Sequence, residues 1–111
     1  QYDHILKHTS CYHSKELLTV FSQYKFIAAF ENSHTNGYIT EKIFNVFFAG
    51  TIPIYDGAPD IARFINPKAF LSLGPMIAKK LQIIANSKAV YEKIVQTDKI
   101  QKEYKNVKIE F

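Results

Sequence analysis

Cysteine and arginine occur once each in this chain and tryptophan not at all. Cys11 stands alone, so no internal disulfide can form, and a single thiol favours a reducing compartment over a disulfide-rich secreted setting. His4, His8 and His13 lie near Cys11, but the spacing fits no standard zinc pattern, and the segment reads as an ordinary loop. No apolar run approaches the ~18 residues that a membrane span needs, and nothing resembles a signal peptide. No repeat, low-complexity tract or Gly/Ser linker divides the chain, so no domain boundary is expected inside it. The first residue is Gln1 rather than Met, so the chain is expected to be a fragment, and its parent's targeting signals stay open.

What is present describes one globular domain. The 111 residues are 47% hydrophobic and 14% aromatic, with nine Phe and seven Tyr, and this excludes disorder. The net charge is +4, and its lysines concentrate between Lys79 and Lys108. That run reads first as a solvated helix face; an anionic partner such as a nucleotide diphosphate, or a peripheral membrane surface, is compatible with it. No basic stripe interleaved with aromatics occurs, so no nucleic-acid partner is expected.

The pattern of elements is β-α-β-α-β-α after a first short helix. Ser14 precedes Lys15 to Phe21 as a capped helix. Phe26-Ile27-Ala28-Ala29-Phe30 has no polar alternation, as expected of a strand buried on both faces. A polar loop over 31–37 leads to Thr40, an N-cap for a helix from Glu41 to Ala49 with Gly50 at its C′ position; Ile43, Val46 and Phe47 face the sheet. Thr51 to Tyr55 is a second buried strand, in which Pro53 implies a strand start, a bulge or an edge. A short helix over 59–64, a strand over 69–73, and helices to Ala85 and over 88–95 follow, with a weakly patterned tail beyond Gln96. Alternation of this kind predicts a parallel sheet covered by helices.

The chemistry concentrates where the first strand meets its helix. Helix N-termini carry N–H groups without internal partners and a positive dipole end, which suits an anionic ligand. Lys42 can set an ammonium beside a phosphate held there, and Asn32 can offer amide donors. Tyr38 can donate its hydroxyl or lie against a ring. Glu41 can accept from sugar or ribose hydroxyls, or stabilise oxocarbenium-like charge, which would make it a catalytic group. Each residue also has an ordinary reading. Thr40-Glu41-Lys42 is a common acidic helix start, Asn32 a loop residue and Tyr38 a packed aromatic. His34 is expected to be exposed, and Glu31 to reach a backbone N–H behind the site.

As an ordered set these residues carry a resemblance. Tyr24-Lys25-Phe26, Phe30-Glu31-Asn32-Ser33, Tyr38-Ile39-Thr40-Glu41-Lys42-Ile43, Ala49-Gly50-Thr51-Ile52-Pro53-Ile54 and Phe64-Ile65-Asn66-Pro67-Lys68-Ala69-Phe70 resemble the C-terminal signature of the α-1,3/4-fucosyltransferases, glycosyltransferase family 10. The resemblance implies a Rossmann-like α/β domain, the C-terminal half of a two-domain GT-B transferase. Residues 1–111 would be the GDP-fucose-binding domain, with the N-terminal acceptor and base domain absent. It implies Asn32, Tyr38, Glu41 and Lys42 as donor-binding residues, with Lys42 on the diphosphate. The partners implied are GDP-fucose and a glycan acceptor, N-acetylglucosamine or glucose, and the reaction is transfer with inversion. No cofactor and no metal are expected, since the sequence has no Asp-x-Asp motif.

The chain departs from that signature in three places. No Arg precedes Tyr24, Asp56 replaces a bulkier residue before the Gly-x-Pro turn, and the cysteine pairs of animal members are missing. A bacterial-like or viral-like parent is expected in preference to an animal Golgi enzyme, with a cytoplasmic or peripheral-membrane location if bacterial-like and a Golgi membrane if eukaryotic. Another nucleotide-sugar transferase of the same architecture, or a truncated domain that binds nucleotide without catalysis, stays open.

Overall fold

Hydrophobic residues at helical and strand spacing meet in a computed structural model that describes residues 15–102. The elements are α1 (Lys15–Phe21), β1 (Phe26–Phe30), α2 (Glu41–Phe48), β2 (Ile52–Asp56), α3 (Ile61–Phe64), β3 (Leu71–Ser72), α4 (Ile77–Ala85) and α5 (Lys88–Gln96). The sheet is parallel throughout, with strand order β1-β2-β3 and Phe26 opposite Ile52 at the start of its main ladder. All strand carboxyl ends therefore share one edge. The loops after β1 and β2 begin there, and in open α/β sheets that edge is where ligands sit. The expected Rossmann-like class is the observed one.

The core forms because α2 turns one stripe onto the sheet. Ile43 and Val46 are fully buried, and with Ala29, Tyr55, Ile61, Ile65 and Phe70 they make one apolar cluster, against which Phe47 is partly packed. Burying each of the larger aliphatic side chains contributes about 1.5–3 kcal/mol. The helix is bounded as its sequence predicts. The Thr40 side chain accepts from Lys42 N–H, and Gly50, at φ +77°, takes the left-handed conformation that ends it.

Several elements differ from expectation for physical reasons. β1 is not buried on both faces: Ala29 faces the core and is buried, while Ala28 and Phe30, which alternation turns to the opposite face, are exposed. Pro53 is buried in the central strand, neither a start, a bulge nor an edge. Ile52 N–H donates to Lys25 on the β1 side and Leu73 N–H donates to the Tyr55 carbonyl on the β3 side. Alternation then turns the Pro53 nitrogen toward β3, whose pairing begins only at Ile54 opposite Leu71, so no ladder bond is lost.

The helix expected over 59–64 starts at Ile61, after a turn at Pro59-Asp60, and the strand expected over 69–73 shortens to Leu71–Ser72, while α5 runs on to Gln96. Beyond it the chain returns to the fold: Ile100 bridges Ile65 antiparallel, and Gln101 N–H donates to the Phe64 carbonyl. That pairing is made by backbone groups, which leave no periodic signature. The Ser14 cap and the cluster of Cys11, His4, His8 and His13 lie outside the described residues.

Candidate functional site

The loop between Glu31 and Thr40 joins β1 to α2, and internal hydrogen bonds fix both of its ends. Glu31 is buried at the end of β1, with its N–H donating to the Asp56 carbonyl at 2.8 Å. Its side chain turns back to the start of α2. Thr40 N–H donates to Glu31 Oε2 at 2.8 Å, and the Thr40 hydroxyl donates to Oε1 at 2.6 Å. The expectation that Glu31 reaches a backbone N–H behind the site holds.

The turn after β2 supplies further ties that sequence reasoning missed. Gly37 N–H donates to Asp60 Oδ1 at 2.8 Å, and His34 Nε2 meets Asp56 Oδ2 at 3.1 Å. His34 is exposed, as expected, but it is paired. The Tyr55 hydroxyl donates to Glu31 Oε2 at 3.2 Å and accepts from Ala58 N–H at 3.1 Å. Burial, with the Glu31 carboxylate close by, pushes the Tyr55 phenol well above its ordinary pKa, so it stays protonated and remains a donor. Asp60 had no sequence signal beyond its turn. Tyr55 had one, since a phenol on a buried strand needs a hydrogen-bond partner.

These ties decide which polar groups are left for a ligand. Of the carboxylates at this edge, Glu31, Asp56 and Asp60 have partners within the fold. Glu41, half-buried in the first turn of α2, has no side-chain hydrogen bond or ion pair among the described residues. Lys42 is also half-buried, and its Nζ lies 3.4 Å from Asn32 Oδ1. The structure thus brings Asn32 and Lys42 together, with Glu41 beside them on the helix. Tyr38 sits on the same loop, 40% exposed, and no side-chain hydrogen bond joins it to the other three among the described residues.

An ammonium, an amide and the opening N–H groups of a helix make a place for a phosphate-bearing ligand. The carboxylate of Glu41 beside them suits hydroxyl groups or a developing positive charge. Among the described residues, no group of three or more His, Cys, Asp or Glu side chains is arranged to hold a metal ion. No helix of the described residues is long and apolar enough to cross a membrane.

Comparison with known proteins points the same way. The family model described as glycosyltransferase family 10 (fucosyltransferase) C-term matches residues 2–108. An α-(1,3)-fucosyltransferase of Helicobacter pylori is 44% identical over 68 residues, covering 61% of this chain and 14% of that protein. A GDP-fucose protein O-fucosyltransferase 3 of Danio rerio is 39% identical over 60 residues, covering 54% of this chain and 13% of its own length. A crystal structure of an α1,3-fucosyltransferase with GDP-fucose superposes with a TM-score of 0.68 at 34% identity, covering 78% of this chain and 27% of that one. The chain therefore spans a small part of the proteins it matches.

Proposed function

This chain belongs to glycosyltransferase family 10, as the fucosyltransferase C-terminal domain, and from that premise we propose that it is the GDP-fucose-binding domain of a fucosyltransferase. The observation that carries the reading is the pairing of Lys42, in the first turn of α2, with Asn32, just after β1, at the carboxyl edge of a parallel sheet. The likeness to a structure holding GDP-fucose supports it.

In this reading the diphosphate lies against the start of α2. As the acceptor oxygen bonds to the anomeric carbon, the bond from that carbon to the phosphate oxygen breaks and its electron pair leaves with GDP. Lys42 and the helix N–H groups stabilise that charge, which is worth most where donors are already in place. No metal is assigned to this step. Glu41 faces the sugar, where its carboxylate stabilises positive charge at the anomeric centre. Asn32 and Tyr38 hold the donor.

The acceptor is a glycan hydroxyl, on N-acetylglucosamine or glucose, and the transfer inverts configuration. The acceptor site and the base that takes the hydroxyl proton belong to an N-terminal domain of the parent protein. Relatives named for α-1,3 transfer and for protein O-fucosylation both match more than half of this chain. That supports a shared donor and leaves acceptor choice to the other domain. We assign the parent to the cytoplasm or a membrane periphery, from cysteine usage alone.

Calorimetric titration with GDP, GDP-fucose, GDP-mannose and UDP-sugars tests the proposal. Selective binding of guanine nucleotides, lost in Lys42→Ala, is the expected result. Equal binding of UDP-sugars, or no binding by the folded chain, overturns it.

A further inference from the structure

We propose that Glu31 is the positioning residue of this site, a carboxylate that ends two directional hydrogen-bond chains and thereby fixes Lys42 relative to the turn after β2. Its geometry stands alone; its consequence for ligand binding rests on the donor-domain reading above. One chain starts at Lys42 N–H, which donates to Thr40 Oγ1 at 3.4 Å, and the Thr40 hydroxyl donates to Glu31 Oε1. The other starts at Ala58 N–H, which donates to the Tyr55 hydroxyl, which donates in turn to Glu31 Oε2.

Neither chain can run backwards. A backbone N–H only donates, so each hydroxyl uses a lone pair on the N–H and its proton on the carboxylate. Thr40 N–H adds a third donor, also to Oε2. The two oxygens of this one carboxylate receive all three donors. Glu31 is 8% exposed, so water is a poor substitute for any of them.

The packing is built around this carboxylate. A Cβ on Gly57 would fall 2.3 Å from Glu31 Cγ, so the turn carries the residue that lets the side chain lie flat against it. Glu31 points inward at the end of β1, while its neighbour Asn32 is exposed and meets the Lys42 ammonium. The ligand-facing amide and the hidden carboxylate thus hold the same lysine, one by its side chain and one through its backbone.

Glu31→Gln tests the inference in this chain. The amide keeps the volume but replaces one acceptor with a donor: in the place of Oε2 its NH2 opposes the Thr40 N–H, and in the place of Oε1 it turns the Thr40 hydroxyl proton away from residue 31. The expected results are faster hydrogen exchange at the Thr40 and Lys42 amides and GDP binding weakened about tenfold, the scale of one hydrogen bond to a charged group. Added to Lys42→Ala, the same change should cost little more, because both act through one ammonium. Thr40→Val, which cuts a single chain, should weaken binding in the same direction, and Thr40→Ser should restore it.

Unchanged exchange and affinity in Glu31→Gln would overturn the proposal, as would fully additive losses in the double variant. GDP binding that depends on Lys42 but ignores Glu31 would sink the positioning role alone. Failure of the unaltered chain to bind GDP, with exchange still responding to Glu31→Gln, would remove the donor reading and leave the positioning role standing.

Discussion

The Lys42 ammonium lies 3.4 Å from the Asn32 side-chain oxygen, so the carboxyl end of β1 and the first turn of α2 meet through a cation and an amide. An incoming phosphate can replace the amide oxygen as partner without moving the helix, which makes the lysine ready in the absence of ligand. Lys42→Ala in the complete transferase should lose roughly 2–4 kcal/mol of transition-state stabilisation, as other removed charge-stabilising donors do. Lys42→Arg should not restore the rate, because a planar fork does not fit where a compact point charge sits. Steady-state kinetics on both variants check this; near-native activity in Lys42→Ala would exclude the phosphate role.

Glu41→Gln separates a ligand-facing carboxylate from an ordinary helix start. The side chain has no hydrogen bond or ion pair among the described residues, so its only structural contribution is a favourable charge at the N-terminus, about 0.3–1 kcal/mol. The variant should therefore unfold within about 1 kcal/mol of the parent, by denaturant titration, while transfer falls by a much larger factor. An unchanged transfer rate would reduce Glu41 to a helix-terminal charge.

Sequence reasoning could assemble this candidate site because its residues lie on two adjoining elements, within a dozen positions of one another. A capped helix after an apolar strand announces itself through Thr40, Gly50 and the spacing of Ile43, Val46 and Phe47. The supporting contacts were less legible, since Tyr55, Gly57 and Asp60 reach the loop across the sheet edge from a different part of the chain. Burial of β1 was misjudged for a related reason. An apolar run says that a strand is buried somewhere, while what packs on each side of the sheet decides on how many faces. Pro53 was misplaced because proline's cost depends on which side its nitrogen faces, and that follows from register.

Gly57 and Gly74 form a matched pair for testing the packing around Glu31. A methyl group on Gly57 would meet Glu31 Cγ at 2.3 Å and the Tyr55 hydroxyl at 2.7 Å, whereas nothing lies within 4 Å of the same group on Gly74. Gly57→Ala should destabilise the fold by about 1–3 kcal/mol, the usual cost of overpacking. Gly74→Ala should stay within about 0.5 kcal/mol of the parent, as surface changes do. Chemical denaturation of the two variants side by side checks the difference, and equal stabilities would show that the Glu31 stem moves aside without cost.

Tyr55 gives the fold a pH dependence whose sign can be worked out. Burial beside the Glu31 carboxylate raises the folded-state pKa above the ordinary 10.0, so the folded chain holds this proton after the unfolded chain has released it. The contribution is therefore fully present below 10.0 and is lost as pH rises above that value toward the folded pKa. Tyr55→Phe should cost about 1–3 kcal/mol at neutral pH, since it leaves Ala58 N–H without its acceptor and Glu31 with one donor fewer. Above 10.0 the gap between the parent and this variant should narrow, because the parent alone has a buried phenol to deprotonate. The lysines common to both chains cancel in the comparison. Denaturant midpoints measured on either side of that pH decide the matter: a gap of constant size would mean that the hydroxyl titrates as freely in the folded chain as in the unfolded one, and that the hydrogen bond to Glu31 is not made in solution.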